Sequence, residues 1–175
     1  MVIFMHLPSN EEIEVFENSV LGKAYRFTDR ALIREALQGP SIFNHHGQKT
    51  LALVGDATLR QFLVDQGRER NKTPDEPPSL SNEYSARMLS MISLAGEIQN
   101  VITKVASNDN LYDRGIAIGL DPFIVKNPGQ WGKTAGKKTM PTTMEAIIGA
   151  VFYDSTKNGD DLERVLTALG LAWPE

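Results

Sequence analysis

The chain has 175 residues, 41% of them hydrophobic and 23% charged, which suits one folded domain able to bury a substantial core. It contains no cysteine, which excludes disulfides and thiolate–metal centres and fits a reducing compartment. A formal net charge of −4 argues against a protein that coats nucleic acid by charge alone, while leaving room for a local basic patch or an acidic metal site. The opening run Met1-Val-Ile-Phe-Met-His-Leu-Pro8 is too short for a signal peptide and lacks an Arg-rich amphipathic pattern, and no apolar run approaches membrane-spanning length. The expectation is an intracellular protein that does not enter a membrane.

In chain order, Ile13, Phe16 and Val20 recur at helical spacing behind Glu11, Glu12 and Glu14, acids that suit the start of a helix. Gly22 is a stop. Thr28-Asp29 opens a second helix with Leu32, Ile33, Ala36 and Leu37, closed by Gly39-Pro40. A polar connection over residues 41–48 carries His45 and His46. Residues 49–67 form a helix with Leu51, Val54, Leu59, Phe62 and Leu63 on one face. Its internal Gly55 costs about 1 kcal/mol against alanine and implies a second helix crossing closely there.

Residues 68–81 read as a loop rich in proline, holding Arg68, Arg70 and Lys72. A long helix follows over 82–106, with Tyr84, Met88, Ile92, Ala95, Ile98, Ile102 and Val105 at its periodic positions. Ser107-Asn-Asp-Asn110 breaks it, and a short helix covers 111–120. A second loop over 126–138 combines Gly129, Gly132 and Gly136 with Lys133, Lys137 and Lys138. Helices over 142–154 and 160–169 complete an all-α reading in one domain, with no alternating strand and no internal repeat.

Several pieces are familiar in this order. Leu21-Gly-Lys-Ala-Tyr-Arg-Phe27 and Leu32-Ile-Arg-Glu-Ala-Leu37 are followed by Leu51-Ala-Leu-Val-Gly-Asp-Ala-Thr-Leu59. Ser107-Asn-Asp-Asn-Leu111, Gly119-Leu-Asp-Pro-Phe-Ile124 and Glu145-Ala-Ile-Ile-Gly-Ala-Val-Phe-Tyr-Asp154 come next. This series resembles the nuclease domain of the ribonuclease III family over about residues 13–169. The resemblance implies a ribonuclease III-like helical fold that dimerises and cleaves double-stranded RNA with divalent metal, Mg²⁺ or Mn²⁺, on acidic side chains. The family's four principal carboxylates fall on Ala52, Asp56, Thr142 and Glu145, so the resemblance assigns Asp56 and Glu145 as the catalytic and metal-binding residues. Ala52 and Thr142 depart from the pattern, as does Lys49, where a further acid is common. The chain is too short for the family's separate double-stranded-RNA-binding domain, so residues 1–175 are expected to be one domain.

The chemistry explains why those positions matter. Phosphodiester hydrolysis needs an activated water and neutralisation of growing charge, which hard cations on oxygen ligands supply. Positions 52 and 56 share a helix face at i,i+4, as do 142 and 145 at i,i+3. Two such helices crossing at Gly55 and Gly149 gather all four positions around one point. Glu83 or Glu97 is a candidate for another oxygen. Each feature also has a plainer reading. Asp56 and Arg60 form an ordinary i,i+4 ion pair, Thr142-x-x-Glu145 has the form of a capping box, and His45 and His46 are loop residues. Lys133, Lys137, Lys138, Arg68 and Arg70 are candidate RNA-phosphate contacts or solvated surface, and Gln130-Trp131 stacks or packs.

Three functions follow: a duplex-RNA endonuclease with a reduced metal site, a catalytically inactive RNA-binding or ribosome-assembly relative, and metal-independent cleavage built on the histidines.

Overall fold

The computed structural model describes residues 7–39, 48–70 and 81–174. Among them stand seven α-helices and no strand: α1 (Asn10–Phe16), α2 (Arg30–Ala36), α3 (Lys49–Arg70), α4 (Ser81–Val105), α5 (Asn108–Ala117), α6 (Thr139–Asp154) and α7 (Gly159–Ala168). The all-α expectation holds. The one β-type pairing among the described residues is a parallel bridge between Gln38 and Val125, which ties the end of α2 to the loop after α5.

α6 is the centre of the molecule. Of its residues between Met140 and Val151, all but Thr142 and Glu145 are buried. A helix apolar on nearly every side must be surrounded, and α3 lies along it with α2, α5 and α7 on its other sides. One hydrophobic cluster joins Phe16, Ile33, Leu59, Leu63, Leu111, Met144, Ile147 and Leu166.

The close approach anticipated at the two glycines is present. A Cβ built on Gly55 would stand 1.8 Å from the carbonyl oxygen of Glu145, and one on Gly149 would stand 2.1 Å from that of Leu51. Backbone, not a movable side chain, fills both places, so only glycine allows α3 and α6 to touch here.

Polar side chains tie down the rest. Ser9 and Glu12 make a capping box at α1, whose last turn widens into a π-helical turn over Glu17–Leu21. That widening carries Glu17 inward, where its carboxylate accepts the Phe27 N–H at 2.7 Å. At the far end of α6, Asp154 accepts from the Tyr25 hydroxyl at 2.8 Å and from the N–H groups of Thr28 and Asp29 at 2.9 and 2.6 Å. Gln48 donates to the Thr143 hydroxyl at 2.9 Å within the core, fastening the start of α3 to α6.

Several boundaries differ from the sequence reading. α3 runs on to Arg70, so Arg68 and Arg70 belong to a helix end rather than a loop, where basic side chains favour the helix dipole. Ser107 does end α4, yet its hydroxyl accepts the Asn110 N–H as the N-cap of α5, so Asn108–Asn110 are helical. α6 starts at Thr139. In α4 the periodic stripe is buried only toward the C-terminus, at Ile98, Ile102 and Val105, while Met88, Leu89, Met91 and Ile92 are exposed. On α3, Leu53 is 74% exposed. No helix among the described residues is long and apolar enough to cross a membrane.

The crossing makes a direct prediction. Gly55→Ala should lower unfolding stability by about 1–2 kcal/mol in urea titrations, because overpacking against backbone, about 3 kcal/mol at the upper end, outweighs the roughly 1 kcal/mol gained in helix propensity. An unchanged midpoint would show that the two backbones do not touch.

Candidate functional site

The crossing sets the site. Glu145 supplies the carbonyl that meets Gly55, and Asp56 is the next residue along α3, so the two carboxylates arise from the point where the helices are closest. Asp56 is a third exposed and Glu145 half-buried. The two acids sense each other electrostatically: burial first, then the negative charge of Asp56, push the Glu145 carboxyl up to about 7, against an opposing pull from Arg60.

Arg60 is the third member. Its Nε lies 2.8 and 3.0 Å from the two oxygens of Asp56, one N–H shared across the carboxylate. The guanidinium pKa is raised, chiefly by that hydrogen bond, with smaller contributions from the charges of Asp56 and Glu145. The i,i+4 pair foreseen in the sequence is therefore real, but it sits inside the site instead of beside it.

The other two positions supply no carboxylate. Ala52 is buried, a methyl group one turn before Asp56. Thr142 is the fourth residue of α6 and its hydroxyl donates to the Lys138 carbonyl at 2.9 Å. It cannot cap a helix that starts three residues earlier, so the capping-box reading of Thr142 and Glu145 is overturned. Such i−4 back-bonding is what an internal threonine commonly does.

A divalent ion of the kind the sequence resemblance implies needs several hard oxygens in one place. Among the described residues no three His, Asp or Glu side chains converge as a metal set. The site holds two carboxylates, and one of them already carries a guanidinium on both oxygens. As arranged, this donor set does not fit a resident divalent ion. Glu97 is exposed on α4, and the Glu83 side chain and both His45 and His46 lie outside the described residues.

The basic candidates divide. Lys133, Lys137 and Lys138 are exposed around the start of α6, with Lys137 3.1 Å from Asp109 of α5. Arg68 and Arg70 are exposed at the end of α3, on a different element. The loop before α6 is organised by Asp121, a residue whose role was hidden in the sequence. Burial would raise its pKa, yet the Ala135 N–H at 2.6 Å and the Lys126 ammonium at 2.8 Å hold it below the usual carboxylate range. Lys126 also donates to the Lys133 carbonyl at 2.8 Å, and the Trp131 indole N–H donates to the Lys126 carbonyl at 3.2 Å while its ring stays exposed.

The raised Glu145 pKa has a consequence for stability. Glu145 loses its proton near 4.5 when unfolded and near 7 when folded, so between those values the unfolded chain binds fewer protons and stability falls as pH rises. Glu145→Gln should abolish that slope and raise stability above pH 7 by about 1–2 kcal/mol, allowing for solvent screening of a half-exposed group. Thermal unfolding from pH 4 to 8 checks this, and parallel curves for the two proteins would contradict it.

Three comparisons bear on this architecture. No protein-family model matches the chain. Two curated relatives named ribonuclease 3, from Rickettsia bellii strains OSU 85-389 and RML369-C, are each 24% identical over 173 residues, covering 93% of this chain. The chain spans 65% of the length of these relatives. Among solved structures, the nuclease domain of ribonuclease III from Campylobacter jejuni shares the fold with a TM-score of 0.68 at 17% identity, covering 94% of this chain and 98% of that one.

Proposed function

We propose that this chain, a ribonuclease III-like helical domain, binds double-stranded RNA through a centre that has lapsed from metal-dependent hydrolysis. The observation that carries the lapse is the lack of a carboxylate at Ala52 and Thr142, two of the four positions that the sequence resemblance assigns to a cation: the first is a buried methyl group and the second a hydroxyl committed to the Lys138 carbonyl. The reading of an RNA partner is supported by the exposed Lys133, Lys137 and Lys138 around the start of α6, a chemistry suited to phosphates. The shared core of the described helices supports a reading of residues 1–175 as one domain.

A second reading, retained hydrolysis, is favoured by Glu145, since a carboxyl poised near 7 suits proton transfer at neutral pH. One experiment separates the two. Purified protein is incubated with long duplex RNA in Mg²⁺, Mn²⁺ or EDTA, alongside Asp56→Asn and Glu145→Gln. The expected result is a retarded complex with intact RNA in every lane. Metal-dependent fragments that disappear in both variants would replace the lapsed reading with the hydrolytic one.

Homodimerisation belongs to the same proposal. Leu53 on α3 and Met88, Leu89, Met91 and Ile92 on α4 are exposed apolar side chains that a second copy of the chain would cover. Sedimentation at micromolar concentration should give twice the chain mass, and the double substitution Met91→Glu, Ile92→Glu should shift it toward one. A wild-type monomer would remove the dimer from the proposal.

A further inference from the structure

The centre at the α3–α6 crossing carries a cation of its own. We infer that Arg60 is the built-in counter-ion of this site, and that its guanidinium excludes divalent metal from Asp56. The inference rests on the reading of the centre as lapsed, and extends it by naming the residue that keeps it so.

Three observations converge. First, the contact engages both Asp56 oxygens through one N–H, at 2.8 and 3.0 Å, leaving neither free of positive charge. Second, Arg60 lies one turn beyond Asp56 on a continuous helix, so the pairing is set by α3 itself and needs no partner or ligand to form. Third, the carboxylates missing at Ala52 and Thr142 leave Asp56 and Glu145 as the site's two acids, and one guanidinium offsets much of the charge that two acids present. A divalent ion approaching Asp56 would meet a like charge at contact distance, and would have to displace it before gaining any ligand. Among charges so close, that repulsion is substantial even with partial solvent screening. The arrangement turns the donor deficit into a closed state: Arg60 satisfies Asp56, and its charge reaches Glu145 as well.

The test uses the full chain and metal alone. Mn²⁺ is titrated into wild type, Arg60→Gln, Arg60→Ala and Arg60→Gln with Asp56→Asn, followed by calorimetry and by the electron-spin signal of free Mn²⁺. Arg60 is 46% exposed, so removing it should leave the fold intact, and thermal unfolding of each variant verifies this. Wild type is expected to take up no Mn²⁺ at millimolar concentration. Both single variants should bind at least about tenfold more tightly than wild type, the lower range for removing one adjacent unit charge. The added Asp56→Asn substitution should abolish the gain. Single variants as silent as wild type would overturn the counter-ion role while leaving the lapsed reading in place. Wild type binding as tightly as the variants would overturn both, because the guanidinium would then exclude nothing.

Discussion

The fold depends on two peptide backbones being allowed to touch. At Gly55 and Gly149 neither helix presents a side chain, and the carbonyls of Glu145 and Leu51 occupy the space where Cβ atoms would stand. That contact sets the separation of α3 and α6, and α6 in turn is the helix around which α2, α5 and α7 gather. Gln48 on Thr143 near one end and Asp154 on Tyr25, Thr28 and Asp29 at the other keep α6 from sliding along its neighbours. The placement of Asp56 beside Glu145 therefore follows from main-chain packing and does not rely on any attraction between the side chains.

Indeed the two acids repel, and the way the molecule handles that repulsion separates them from its other acids. Glu17, Asp121 and Asp154 are each satisfied by backbone N–H groups in loops, the arrangement by which a small helical protein fastens irregular segments. Asp56 is satisfied by a charged side chain one turn along its own helix, while Glu145 retains its proton to about pH 7. Glu17, Asp121 and Asp154 fasten main chain; Asp56 holds a guanidinium and fastens none.

Much of this was legible in the sequence. A glycine inside an apolar helix costs stability unless it relieves a steric conflict, so Gly55 and Gly149 announced the crossing, and the motif order announced the fold. What was not legible is instructive. The start of α6 lay among lysines and glycines that read as loop, and Thr142-x-x-Glu145 imitated a helix start one turn too late. The apolar stripe of α4 was correctly periodic, but periodicity shows which face is apolar and not whether the protein covers it. Arg60 was visible as an ion pair; that it belongs to the site emerges only when α6 brings Glu145 alongside.

The burial pattern of α6 bears on how this protein can change over generations. From Met140 to Val151 the helix reaches past its neighbours only at Thr142 and Glu145, and every other side chain in that span is enclosed. Within that span the helix communicates with its surroundings through an aperture two residues wide. Drift elsewhere along it is paid in core packing, so a lineage carrying this helix can alter its chemistry at those two letters while the scaffold stays still. A substitution at either of them is then the least costly way to change what this helix presents, and for the same reason the change can be reversed.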